Sequence, residues 1–76
     1  IDYKNYDIST AVKRNNLVRN ITNQYFRRVA ELPSGTIQTF VIDIRGQAIG
    51  DSVLNELYDI IMVRTSYGPN IYFKVQ

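Results

Sequence analysis

The chain contains neither cysteine nor histidine. Without cysteine, no disulfide framework and no thiolate zinc site can form, and the sequence is compatible with a reducing compartment. Without histidine, the usual general base and the commonest metal ligand are gone, and with them every Ser-His or Cys-His pair. Any catalysis must therefore use Lys, Arg, Tyr, Asp, Glu and hydroxyl groups. Long apolar runs are also lacking: none approaches the roughly 18 residues of a membrane span, and no stretch is patterned as a secretory signal peptide. At 76 residues the chain is one domain or a piece of one. A domain of this size buries only about 60–65% of the surface its unfolded form exposes, so a bound partner could matter to its stability. Its opening at Ile1 rather than Met leads us to expect a piece of a longer polypeptide.

Charge is present but unevenly placed. Residues 1–31 carry six basic groups (Lys4, Lys13, Arg14, Arg19, Arg27, Arg28) against three acidic ones (Asp2, Asp7, Glu31), a net +3. Residues 32–76 carry three basic groups (Arg45, Arg64, Lys74) against four acidic ones (Asp43, Asp51, Glu56, Asp59), a net −1. The basic excess falls on the first helical stretch. Such a stripe suits a phosphate-rich partner, and it also suits an ordinary solvated helix face.

The hydrophobic pattern predicts an α/β domain in the order α-β-α-β. Residues 1–9 lack a helical period and read as an extended lead-in, with Tyr3, Tyr6 and Ile8 docking on the body. Residues 10–32 read as helical, with Ser9 or Thr10 as the cap and the poor helix formers Asn15-Asn16 as an expected weak point or break. Leu17, Ile21, Tyr25, Val29 and Leu32 line one stripe of that helix, and Pro33-Ser34-Gly35 ends it. Residues 36–45 read as a strand, residues 51–64 as an amphipathic helix capped by Asp51 or Ser52, and residues 71–76 as a half-exposed strand. A strand, helix and strand joined by short loops should pair in parallel through a right-handed crossover. Two strands make a meagre sheet, so we expect a fragment of a larger sheet or strands supplied elsewhere.

Within the first strand, alternation puts Phe40, Ile42 and Ile44 on one face and Ile37, Thr39, Val41, Asp43 and Arg45 on the other. A core strand has no packing reason to end in a charged pair. If the strands are parallel, Asp43 and Arg45 share the open face with Tyr72, Lys74 and Gln76. Carboxylate, guanidinium, ammonium and phenol then converge, as phosphodiester cleavage asks: an orienting or proton-accepting group, cations for the developing phosphate charge, and a proton donor. RNA supplies its own 2′-hydroxyl nucleophile, so neither a cofactor nor histidine is required. The candidate catalytic residues are Asp43, Arg45, Lys74 and Tyr72. Arg14, Arg19, Arg27 and Arg28 are candidates to track a nucleic-acid backbone, and Tyr67 at a loop tip could stack on a base.

Other readings of the same residues stay open. Asp43 with Arg45 or Lys74 is also readable as an ion pair on a solvated sheet face. Asp43 with Asp51, Glu56 or Asp59 could hold Mg²⁺, although the Asp43-Ile44-Arg45 triplet has Arg where metal-dependent nucleases of the PD-(D/E)xK kind have Lys. Arg45-Gly46-Gln47, between a strand and a helix, could hold an anion on backbone N–H groups. A non-catalytic module docking through Tyr3, Tyr6 and the edge of the last strand is a further possibility.

Across Leu32-Pro33-Ser34-Gly35-Thr36 and Val41-Ile42-Asp43-Ile44-Arg45-Gly46-Gln47, the chain resembles the C-terminal toxin domains of bacterial polymorphic toxins, including contact-dependent growth inhibition proteins. The resemblance extends over residues 32–76. It implies a domain delivered from the cell surface or secreted as part of a larger protein, acting in the target-cell cytoplasm. The implied activity is that of a nuclease, often acting on tRNA, neutralised by a cognate immunity protein and in some cases engaging elongation factor Tu. Asp43, Arg45 and Gln47 are the matching motif positions. The missing histidine and the βαβ order depart from the antiparallel sheet of barnase-like RNase toxins.

Overall fold

Thr39–Asp43 forms the middle strand of the sheet because it is the one stretch apolar enough to be covered while paired on both sides. The computed structural model describes residues 2–76 and has the order β1 (Asp2–Asn5), α1 (Ala11–Val29), β2 (Thr39–Asp43), α2 (Asp51–Arg64), β3 (Asn70–Lys74). The sheet order is β1-β2-β3, and both pairings are parallel. The expected parallel β2–α2–β3 unit is present. The lead-in is itself a strand, which completes a second βαβ unit and raises the sheet from two strands to three; residue 1 of that lead-in lies outside the described residues.

Right-handed crossovers in a sheet ordered by sequence place both helices on the same face, and burial agrees. Phe40, Ile42 and Ile71 on the inner face are buried with Ile8 and Ile44 against Leu17, Val18 and Ile21 of α1 and Leu57, Ile61 and Met62 of α2. Tyr6, Tyr25, Val53, Leu54, Ile60 and Phe73 pack around this core. The result is two layers, helices behind and a sheet whose outer face is bare.

Helix α1 starts where Thr10, extended at φ −125°, accepts a hydrogen bond on its hydroxyl from the Lys13 N–H at 3.2 Å, a side-chain N-cap. It then runs without interruption through Asn15-Asn16. The expected break is absent because Leu17 and Val18, directly after the pair, are buried in the core, and that packing outweighs the few tenths of a kcal/mol per residue by which asparagine disfavours helix. The apolar stripe predicted for α1 is only half used: Leu17 and Ile21 are fully buried, whereas Val29 and Leu32 are exposed. Length explains this. Nineteen helical residues span roughly 28 Å, and five-residue strands only roughly 17 Å, so the last turns overrun the sheet.

Helix α2 begins at Asp51 after Gly50, without the side-chain cap expected from Asp51 or Ser52. Its end is a Schellman motif. The Tyr67 N–H donates to the Met62 carbonyl at 2.7 Å, the Ser66 N–H donates to the Val63 carbonyl at 3.2 Å, and Ser66 has φ 55°. Gly68 follows directly beneath Tyr25, and a Cβ there would overlap the Tyr25 hydroxyl.

Candidate functional site

Asp43 closes β2 on the outer face, level with Asn5 of β1 and Lys74 of β3. Tyr3, Val41 and Tyr72 form the row before it on the same face. Strand alternation and parallel register thus deliver the Asp43–Lys74 neighbourhood expected from the sequence.

The turn beyond Asp43 explains the spacing of the motif. Asp43 Oδ1 accepts a hydrogen bond from the Arg45 backbone N–H at 3.0 Å, an Asx-turn in which the carboxylate caps the chain two residues on. That turn folds the guanidinium back onto the same carboxylate: Arg45 Nη2 donates to Oδ2 at 2.7 Å and Nε to Oδ1 at 3.0 Å, a forked charge-assisted contact. The Gln47 N–H then donates to the Ile44 carbonyl at 3.1 Å, with Gly46 at φ +85°. This is the geometry of a type II turn, whose third residue needs positive φ.

Gln47 continues the stitching. Its Oε1 accepts from the Ile8 N–H at 2.9 Å and its Nε2 donates to the Tyr6 carbonyl, so one side-chain amide satisfies two backbone groups of the segment after β1. Replacing Gln47 by alanine leaves both backbone groups without that partner, and a cost of about 1–3 kcal/mol is expected, read from urea-denaturation midpoints.

Tyr3 is the residue that sequence reasoning did not place here. Its hydroxyl donates to Asp43 Oδ2, Arg45 Nη2 donates to the phenol oxygen at 3.3 Å, and Lys74 Nζ stands 5.8 Å from the ring centroid, within cation–π range. The only sequence signal was an aromatic in the lead-in. Tyr72, the phenol expected at this point, shares the face but sits one row back, with no side-chain hydrogen bond among the described residues.

Asp43 is only 6% exposed. Hydrogen bonds from the Arg45 side chain, then from Tyr3 and the Arg45 backbone N–H, hold its carboxyl well below the usual carboxylate range. The same contact with Asp43 raises the Tyr3 phenol and the Arg45 guanidinium above their ordinary values. At neutral pH Asp43 is therefore a charged anchor and a poor proton acceptor, Tyr3 is a neutral phenol, and Arg45 is a cation. Because the folded-state pKa of Asp43 lies below the unfolded value of about 4, its stabilising effect is full above that pH and fades as acid protonates it. Asp43→Asn should be less stable than the parent at pH 7 and lose less stability between about pH 5 and pH 3, measured by urea melts across that range. Asp7 is shifted the same way, chiefly by Lys13 and Ser9, so the difference between the two proteins isolates Asp43.

The cluster opens into a shallow cleft of about 800 Å³ that Asp43, Arg45, Gly46 and Gln47 line together with Arg14 and Asp7. The cleft lies past the carboxyl ends of β1 and β2, where open α/β sheets place their ligands. Of the four arginines expected to follow a nucleic-acid backbone, Arg14 alone reaches this cleft, fixed by Nε donating to the Ile8 carbonyl at 3.0 Å. Arg19 lines a groove between the helices with Arg64, and Arg14 borders that groove as well as the cleft. Arg27 and Arg28 lie near the far end of α1, with Arg28 paired to Asp2 at 3.2 Å. Tyr67 is exposed in the turn before β3, at the amino end of the sheet. The structure therefore parts Arg27 and Arg28 from Arg14 and Arg19, and only Arg14 borders the candidate site.

Among the described residues no group of three or more acidic side chains that could hold a metal ion forms from Asp43 with Asp51, Glu56 and Asp59. Of Tyr3 and Tyr6, considered as docking residues for a partner, Tyr6 packs against the core, whereas Tyr3 has its hydroxyl on Asp43 and its ring half exposed. No helix among the described residues is long and apolar enough to cross a membrane. Compared with protein-family models, curated proteins and solved structures, the chain matches none.

Proposed function

We propose that this chain is an antibacterial toxin domain that cleaves RNA, with tRNA as its substrate class and a cognate immunity protein as its neutralising partner. The observation that carries the chemistry is the convergence of Tyr3, Asp43, Arg45 and Lys74 at one end of the bare sheet face. The resemblance over residues 32–76 supports the toxin setting, delivery into a target-cell cytoplasm, and elongation factor Tu as an accessory partner.

The residues divide the work according to their protonation. Arg45 keeps Nη1 for a ligand, since its contacts to Asp43 and Tyr3 use Nε and Nη2, and with Lys74 it offers positive charge to a bound phosphate. The substrate 2′-hydroxyl attacks phosphorus and its proton passes to solvent. The bond from phosphorus to the 5′-oxygen breaks, and that oxygen takes a proton from the Tyr3 phenol, whose O–H turns from Asp43 Oδ2 to deliver it and is re-protonated from water. The products are a 2′,3′-cyclic phosphate and a 5′-hydroxyl. Asp43 orients Tyr3 and Arg45 and keeps the phenol protonated. With a weakly acidic phenol as donor and no strong base, the enzyme should be slow.

Total tRNA incubated with the purified chain and separated on a denaturing gel tests the reading. Discrete fragments ending in cyclic phosphate, formed equally in EDTA, are expected. Intact tRNA even after addition of elongation factor Tu and cytosolic extract would overturn the activity, and loss of cleavage in EDTA would replace this mechanism with a metal-dependent one.

A further inference from the structure

The outer face of the sheet carries more than the charged cluster. Tyr3 and Tyr72 flank Val41 in one row across all three strands, two strand spacings or roughly 10 Å apart. Tyr72 is 57% exposed and Tyr3 48%, and both helices lie behind the opposite face. Tyr3 is pinned by its hydroxyl on Asp43, so its ring is held before any ligand arrives. Lys74 stands one row further on, roughly 7 Å along the strand direction, and Arg45 lies beyond it at the rim of the cleft.

Aromatic surfaces that lead into cations on an open sheet are the arrangement proteins use for unpaired nucleic acid. Bases lie on the rings while the backbone follows the positive charge. A duplex cannot use such a face in the same way, because its bases are stacked on one another and it presents mainly phosphates and 2′-hydroxyls. The charge on this face agrees with a polyanion: the one buried carboxylate, Asp43, is already matched by Arg45, which leaves the Lys74 ammonium uncompensated among the described residues.

We infer that the bare sheet face binds an unpaired RNA segment, one base stacking on Tyr72 and the adjoining phosphate lying between Lys74 and Arg45. This rests on the proposed action on RNA and narrows it to unpaired stretches, such as loops, in preference to helical stems.

The test uses a fluorescein-labelled, fully 2′-O-methylated oligonucleotide without self-complementarity, alone or annealed to its complement. Methylation blocks the attacking hydroxyl, so binding by fluorescence anisotropy is read apart from cleavage. The unpaired form should bind at least about 10-fold tighter than the duplex, and Tyr72→Ala should weaken it by about 5- to 100-fold, as loss of one stacked base does. Tyr72→Phe keeps the ring and should stay within about twofold of the parent. Tyr72 is largely exposed at the sheet edge, so the alanine variant should keep the parent far-UV circular dichroism spectrum, and anisotropy is compared on folded protein. Equal affinity for the two forms, or unchanged binding by Tyr72→Ala, would overturn the inference; so would dimerisation of the free chain that is lost in Tyr72→Ala. Cleavage of tRNA without preference for the unpaired oligonucleotide would sink this inference and leave the proposed activity standing. Tight single-strand binding without cleavage would do the reverse.

Discussion

Arg45→Ala is expected to slow tRNA cleavage by about 100- to 1000-fold, the usual consequence of removing one preorganised donor to the charge that develops at a reacting phosphate. Arg45 is placed for this by its short path from the sheet. The Asx-turn at Asp43 fixes its backbone, and the forked contact fixes its guanidinium plane. Arg45→Lys keeps the charge and loses the fork, so an intermediate loss of about 10-fold is expected. The alanine change also removes hydrogen bonds from the buried Asp43 carboxylate, which lowers stability. Rates are therefore compared by denaturing gel at a temperature where circular dichroism shows both variants folded. Cleavage by Arg45→Ala within about threefold of the parent would mean that the cluster is a structural ion pair and that phosphate chemistry occurs elsewhere.

Phe40→Ala is expected to unfold much of the protein. Phe40 is 1% exposed in β2, in one core cluster with side chains of both helices, and truncating a buried phenylalanine costs about 3–5 kcal/mol. A domain of 76 residues has roughly 4–11 kcal/mol of total stability. The substitution thus consumes between about a quarter and all of it, and a fall in Tm of at least about 12 °C is expected in a thermal melt. Val41→Ala, one position along on the half-buried outer face, should cost about 1 kcal/mol or less. The contrast checks the assignment of faces: comparable losses at both positions would contradict a sheet bare on one side.

Much of this fold was legible as local pattern. Alternation assigned Phe40, Ile42 and Ile71 to the core face and Val41, Asp43, Tyr72 and Lys74 to the other, because a strand has no choice about side-chain parity once one face is apolar. The apolar spacing of α2, a cap at Ser9 or Thr10 and the turn at residues 66–69 were readable for the same reason, since each is decided within a few residues.

The rest depended on contacts far apart in sequence. Asp-Tyr-Lys-Asn at β1 has no apolar face, so no periodicity marks it as a strand; it becomes one because β2 offers an unpaired edge. The same docking carries the Tyr3 hydroxyl to Asp43, 40 residues away, and turns a residue of the lead-in into the phenol of the candidate site. The stripe on α1 promised a longer interface than the short strands can cover, and Arg27 and Arg28 near its far end lie on another surface from Arg14 and Arg19. The sequence alone determined the strand that carries Phe40 to Asp43, its two faces and the charged residues at its end, since these follow from parity and composition. Only the tertiary structure decided that Asp43 is a buried, fully engaged anchor rather than an available base, because its partners arrive from another strand and a turn whose geometry depends on the packed sheet.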